Sequence, residues 1–241
     1  MPLSKVAEIT STLRDEILRG QYRAGERLPS ERDLAARFEA NRGAVRESIK
    51  KLEQLGIAEV KPGGVRIVPI EDATLEVLGH IIDLDEIPSS SLVGQLFEVF
   101  GAMMSHSARS AIRNASAEQI QDMRAIIKEL CSTIDKPEEY HDGWRSLANY
   151  FIQVNQNLVL KLIGNGLKTQ FMGRMEKIGL HPQIDKVKDL EFLEMMDKAL
   201  QTRDHEAAGN AIIGHFQLLK VGMEKTLEQK QQEQNRSMNH A

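Results

Sequence analysis

Along the first 70 residues the apolar positions change period once. Val6, Ile9, Leu13, Ile17 and Leu18 recur at helical spacing, with Ser4 placed to cap the helix and Gly20 to stop it. Ser30 followed by Glu31, Arg32 and Asp33 is an N-cap with first-turn acids. It predicts a short helix over residues 31–38 with Leu34, Ala35 and Phe38 inward. Asn41 caps a third helix over residues 42–55, whose apolar stripe is Val45, Ile49 and Leu52, and Gly56 ends it. Then Ala58-Glu59-Val60-Lys61 and Val65-Arg66-Ile67-Val68 alternate like strands around Pro62-Gly63-Gly64, which predicts a hairpin. Helix, helix, turn, helix, hairpin is the order of a winged helix-turn-helix.

Beyond it, Pro69 and Ile87-Pro88-Ser89-Ser90-Ser91 bracket a short amphipathic helix around Leu75, Val77, Leu78, Ile81 and Ile82. From residue 91 onward only helical spacing remains, over roughly 91–113, 116–134, 138–155, 157–179, 186–202 and 204–230. The breaks have local causes. Ser116 with Gln119 is a capping-box pair, Asp135-Lys136-Pro137 restarts a helix, and Gly179-Leu180-His181-Pro182 ends one. The expected fold is mostly α: a winged helix-turn-helix over 1–70 and a linker with a short helix over 71–90. An antiparallel all-helical effector-binding and dimerisation bundle follows over 91–230, and a frayed polar tail over 231–241.

Composition narrows the class. Hydrophobic residues are 41% and charged residues 27%, which is globular. The single cysteine, Cys131, excludes an intrachain disulfide and a thiolate zinc cage, so a reducing, cytoplasmic setting is expected. No apolar run nears the ~18–20 residues that cross a bilayer, and the first residues do not read as a signal peptide. The net charge of −4 is unevenly spread: residues 1–70 hold 13 Lys/Arg against 10 Asp/Glu, and the remainder is acidic. That asymmetry suits a nucleic-acid module joined to one that does not touch nucleic acid.

Arg42, Arg46 and Lys50 lie at i, i+4 and i+8 on the third helix, a basic stripe beside the apolar one. Arg42 is in the first turn, the end of a recognition helix that meets base edges. A guanidinium there can bond guanine O6 and N7 together. Gly43 and Ala44 are small enough for close approach to the groove floor, Arg32 is placed to meet phosphate, and Lys61 and Arg66 flank the hairpin tip. Gly63 and Gly64 let the wing backbone come near a minor groove. A solvated helix face carries the same stripe; the element order and the wing favour DNA.

Arg27-Leu28-Pro29-Ser30-Glu31-Arg32-Asp33-Leu34-Ala35, followed by Asn41-Arg42-Gly43-Ala44-Val45-Arg46-Glu47, resembles the GntR transcription regulators. The resemblance continues through Leu52-Glu53-Gln54-Leu55-Gly56-Ile57 and the hairpin, and covers residues 4–68. It implies operator contacts at Arg32, Arg42, Arg46 and Gly63. Asn41 stands where the family usually has Ser or Thr, and the Pro-Gly-Gly tip is one residue shorter than usual. The expected DNA-binding set is Ser30, Arg32, Asn41, Arg42, Gly43, Ala44, Arg46, Lys50, Lys61, Gly63 and Gly64.

The helical region is similar to the FadR subgroup of that family over roughly residues 75–226, through Leu96-Phe97-Glu98-Val99 and Arg203-Asp204 with Ala207-Ala208. Many members hold a metal on an Asp-x3-His pair and two later histidines. The matching positions here are Trp144, Ala148, Leu193 and His215, so no metal site and no cofactor are expected. Asn157 to Lys168 resembles the metal-free, fatty-acid-responsive member, which implies an acyl-coenzyme A or another metabolite as effector. Phe100, Met103, Met104, Trp144, Asn157, Met172 and His215 are the candidate effector contacts; ordinary core packing accounts for the methionines and His215 equally well. Gln217, Leu218 and Val221 depart from that member's pattern. The resemblance implies a homodimer on double-stranded, palindromic operator DNA, no enzyme activity and no membrane partner. Two alternatives stay open: a DNA-binding chain whose bundle is only a dimer scaffold, and a bundle that binds small molecules or catalyses without DNA. His205-Glu206 lacks the second histidine of a zinc-protease motif, and no phosphate loop or nucleophile elbow occurs.

Overall fold

Three side-chain caps set the first three helices of the computed structural model, which describes residues 4–238 apart from Glu86 and Ile178. Ser4 accepts from the Ala7 amide at the head of α1 (Lys5–Leu18), Ser30 from Asp33 at α2 (Glu31–Arg37), and Asn41 from Ala44 at α3 (Arg42–Gln54). Each bond satisfies an amide that has no partner within its own helix. Ile9 and Leu13 of α1, Leu34 of α2, and Val45 and Leu52 of α3 are fully buried in one core. Ser48 ties α3 to α1, its hydroxyl donating to the Val6 carbonyl at 3.1 Å.

The wing is β1 (Ala58–Lys61) paired antiparallel with β2 (Gly64–Ile67), with Lys61 opposite Gly64. Pro62 and Gly63 alone form the turn, and Gly63 at φ 94° takes the left-handed position that a type II turn requires. A third segment lies beside β2: the Leu28 amide donates to Val65 at 3.0 Å and the Ile67 amide to Glu26 at 2.9 Å. This sets Arg27 opposite Arg66.

A 3-10 turn, Ile70–Asp72, and α4 (Val77–Ile82) follow. The expected linker helix is part of the first packing unit. Val77 is buried in the core of the first unit and Ile81 packs on it. Thr74 also fastens the segment to the end of α3, its amide donating to Leu55 at 2.9 Å. The chain divides into two units between Glu86 and Ile87.

The second unit is helical throughout its described residues: α5 (Ser90–Asn114), α6 (Ala117–Thr133), α7 (Pro137–Asn155), α8 (Leu158–Lys177), α9 (Lys186–Thr202) and α10 (His205–Met238). The Ser116–Gln119 capping box forms in both directions. Arg203 closes α9 in the left-handed conformation, and Asp204 caps α10 through the Ala207 amide at 3.0 Å. Glycine permits the closest approaches. A Cβ on Gly101 of α5 would lie 2.9 Å from the Phe216 Cβ of α10, and one on Gly222 would strike the Gln183 carbonyl. The α10 helix does not fray near residue 230 but runs to Met238. The reason is compositional: Gln, Glu, Lys and Arg favour helix, and no Gly or Pro interrupts them.

Candidate nucleic-acid interface

The expected DNA-binding residues lie on α3, at the head of α2 and on the wing. Asn41 and Gly43 are exposed at the head of α3, and Ala44 is half-buried. A Cβ on Gly43 would sit 3.1 Å from the capping oxygen of Asn41, so the cap and the first turn are tightly apposed. Arg42 projects into solvent with no hydrogen bond or ion pair among the described residues.

The other basic side chains of the set are paired within the chain. The Arg46 Nε donates to both carboxylate oxygens of Glu31, at 3.0 and 2.8 Å. Lys50 pairs with Glu47 at 2.8 Å, Lys61 with Glu59 at 2.8 Å, and Arg32 more loosely with Asp33 at 3.6 Å. Lys50 holds the Glu47 carboxyl below its ordinary value. The Ser30 hydroxyl donates to Asp33 at 2.6 Å and lowers that carboxyl likewise. Arg66, expected at the tip, instead donates from Nη1 to the Gly25 carbonyl at 2.8 Å and braces the loop. Arg27 takes the place at the tip: its Nη2 lies 2.9 Å from where a Gly63 Cβ would stand. Gly63 and Gly64 are both exposed, with φ of 94° and 129°.

The effector candidates fall into separate places rather than one pocket. His215 of α10 is buried, and its ring stacks on Trp144 of α7 at 3.7 Å between centroids. Its Nδ1 lies 2.5 Å from Asp189 of α9, which is fully buried and accepts a second bond from Tyr140 of α7. Met104 packs on the same core. Phe100 lies on the α5 side facing α8, 6.1 Å from the Phe171 ring, and Met103 is 3.7 Å from where a Cβ on Gly164 would stand. Asn157 caps α8 through the Leu160 amide at 3.0 Å. The Met172 side chain lies outside the described residues.

Asp189 is the residue that sequence reasoning missed. Lys186-Val187-Lys188-Asp189 reads as an exposed first turn, and both partners of Asp189 are remote in sequence. Among the described residues no three His, Cys, Asp or Glu side chains gather as metal ligands. His215 is committed to Asp189 and covered by Trp144, and Leu193 is fully buried, so these positions do not fit a divalent ion. A groove of about 290 Å³ between α6 and α9, lined by Cys131, Leu193, Lys128 and Lys198, contains none of the effector candidates. Burial raises the Cys131 thiol above its ordinary value, which opposes a nucleophilic role.

A model of the gntR family of bacterial regulatory proteins matches residues 5–67, and a model of the FCD domain matches residues 95–218. The chain is 25% identical over 224 residues to an uncharacterised HTH-type transcriptional regulator of Mycobacterium tuberculosis, covering 90% of this chain and 89% of that one. It is 23% identical over 219 residues to the Uxu operon regulator of Haemophilus influenzae, covering 88% and 79%. Among solved structures it resembles Lar, which controls expression of the Listeria monocytogenes agr system. There the TM-score is 0.51 at 17% identity, over 93% of this chain and 99% of that one. That likeness shows the fold. No helix among the described residues is long and apolar enough to cross a membrane.

Proposed function

We propose how a chain that belongs to the gntR family of bacterial regulatory proteins and carries an FCD domain does its work. It is a DNA-binding transcription regulator and not an enzyme. Within the family we assign it to the FadR type, acting in the cytoplasm as a homodimer on a palindromic operator. Pairing brings two α3 helices to half-sites about one helical turn apart.

The free guanidinium of Arg42 at the exposed, capped head of α3 carries this reading. Arg42 reads a guanine edge in the major groove, with Gly43 and Ala44 allowing the approach. Ser30, Arg32, Asn41, Arg46 and Lys50 face the phosphates around it, and Lys61, Gly63 and Gly64 bring the wing to the adjacent minor groove. The direct test is binding to a duplex selected from a random library. Arg42→Ala is expected to lose about 1–3 kcal/mol of discrimination, and unchanged affinity sinks the assignment.

An effector in the FCD domain shifts DNA affinity by linkage, through its preference for one arrangement of the dimer. The apolar side chains of Phe100 and Met103 toward α8 suit an acyl chain, which supports an acyl-coenzyme A or related metabolite. A second reading, in which the bundle is only a dimer scaffold, is favoured by the buried Asp189, whose partners His215 and Tyr140 come from within the bundle. Thermal shifts with acyl-coenzyme A, free fatty acids and small carboxylates separate the two. A ligand at a hundred times its Kd adds about 2.7 kcal/mol of stability.

A further inference from the structure

A cation lies at the wing tip that is not among the expected DNA-binding residues. Lys61 pairs with Glu59, and Arg66 is tied to the Gly25 carbonyl. Neither presents a free charge at the tip. Arg27 belongs to the third segment beside β2, held by the Leu28 and Ile67 amides on either side of it. Its guanidinium rests against Gly63, is exposed, and has no hydrogen bond or ion pair among the described residues. A guanidinium carries five donors in a fork that matches carboxylate and phosphate geometry. Here that fork is held beside the one backbone corner of the wing that lacks side chains.

We propose that Arg27 is a DNA-binding residue that grips a backbone phosphate at the edge of the groove entered by the wing. This rests on the reading of the first unit as the DNA reader. Three features fit a phosphate. The donors are planar and fixed on a strand-like segment rather than on a mobile loop. The Cβ-free Gly63 lets the guanidinium lie against the turn backbone, so that one phosphate can meet both. The charge has no intramolecular partner to give up. Gly63 is favoured by its φ of 94°, and its lack of a Cβ also lets the Arg27 guanidinium take its place beside the turn.

The test uses the full chain and measures the salt dependence of binding to the selected duplex and to an unrelated duplex. Arg27→Met keeps an unbranched side chain without the charge, and Arg27→Lys keeps the charge. Loss of one phosphate contact lowers the slope of log K against log salt by about 0.9 and weakens both duplexes alike. Arg27→Met is expected to do this, with roughly tenfold weaker binding, and Arg27→Lys to retain the wild-type slope. Thermal unfolding of each variant is expected to match the wild type. A wild-type slope in Arg27→Met overturns the proposal. So does a loss confined to the selected duplex, which would mean base reading, and so does equal weakening by Met and Lys with a lowered Tm, which would mean a strut for the wing. If the wild-type chain shows no salt-dependent binding, or ignores Arg42→Ala, the DNA-reading assignment itself fails, and this is known before any Arg27 variant is compared.

Discussion

The imidazole of His215 lies nearly parallel to the Trp144 indole, at 15° and 3.7 Å between centroids, with its Nδ1 on the Asp189 carboxylate. One cluster therefore joins α7, α9 and α10 at two of the positions, Trp144 and His215, where the sequence resemblance put metal ligands. Trp144 supplies a flat apolar cover, and Asp189 supplies the polar partner that a lone buried imidazole needs.

Breaking this junction from one side leaves a buried group unpaired. His215→Ala strands the Asp189 carboxylate with Tyr140 alone, and is expected to cost about 3–5 kcal/mol in the stability of the helical unit. Tyr140→Phe removes one donor and is expected to cost about 1–3 kcal/mol. Denaturant unfolding of the full chain measures both; a loss under 1 kcal/mol for His215→Ala would show that the junction is dispensable.

The same junction gives an alkaline pH dependence. Burial, and then the bond to Asp189, hold the Tyr140 phenol above its ordinary value of 10.0. The unfolded chain releases that proton first, so the stabilisation is complete below pH ~10 and is lost as pH rises toward the folded value, at about 1.4 kcal/mol per pH unit. Tyr150 acts in the same direction, pushed up to about 12 by burial and by its bond to Asp122. Tyr140→Phe should flatten the slope between pH 10 and 11, and an unchanged slope would place the titration elsewhere.

Two glycines on different helices should respond oppositely to alanine. A Cβ on Gly173 of α8 meets nothing within 4 Å, whereas on Gly222 of α10 it meets the Gln183 backbone. Gly173→Ala is expected to stabilise by about 0.5–1 kcal/mol. Gly222→Ala is expected to destabilise by about 1–3 kcal/mol, because the Gln183 backbone must shift. Thermal melts of the two variants, side by side, decide this.

Zinc or nickel added to the purified chain should leave its Tm unchanged, because the one imidazole at the usual metal position is paired and covered. A rise that grows with metal concentration would mean that other residues assemble a site.

Much of the fold was readable because its punctuation is local. Ser30, Asn41, Ser116 and Asp204 each announce a helix within three residues, and each cap forms. Cooperation at a distance left no such mark. Asp189 looks like a solvated acid until Tyr140 and His215 are brought to it. Arg27 looks like the first letter of a motif until the segment beside β2 lays it on Gly63. The short helix after residue 70 was visible as a helix, but its place in the core of the first unit depends on Val77 joining the buried cluster that α1, α2 and α3 build. The separate positions of Phe100 and Trp144 show the same limit, since helical spacing gives a face but not the neighbour it meets.

The carboxylates that hold Arg46, Lys50 and Lys61 also govern how the reading head is felt from afar. Beyond a Debye length, about 8 Å at physiological ionic strength, each such pair is a small dipole rather than a charge. On the proposed reading, a passing duplex then experiences little pull from these three residues and meets their charge only on contact, when phosphates compete with Glu31, Glu47 and Glu59 for the same cations. Random stretches of polyanion gain little from lingering, and residence time is set by the sites where the exchange of partners is worth completing.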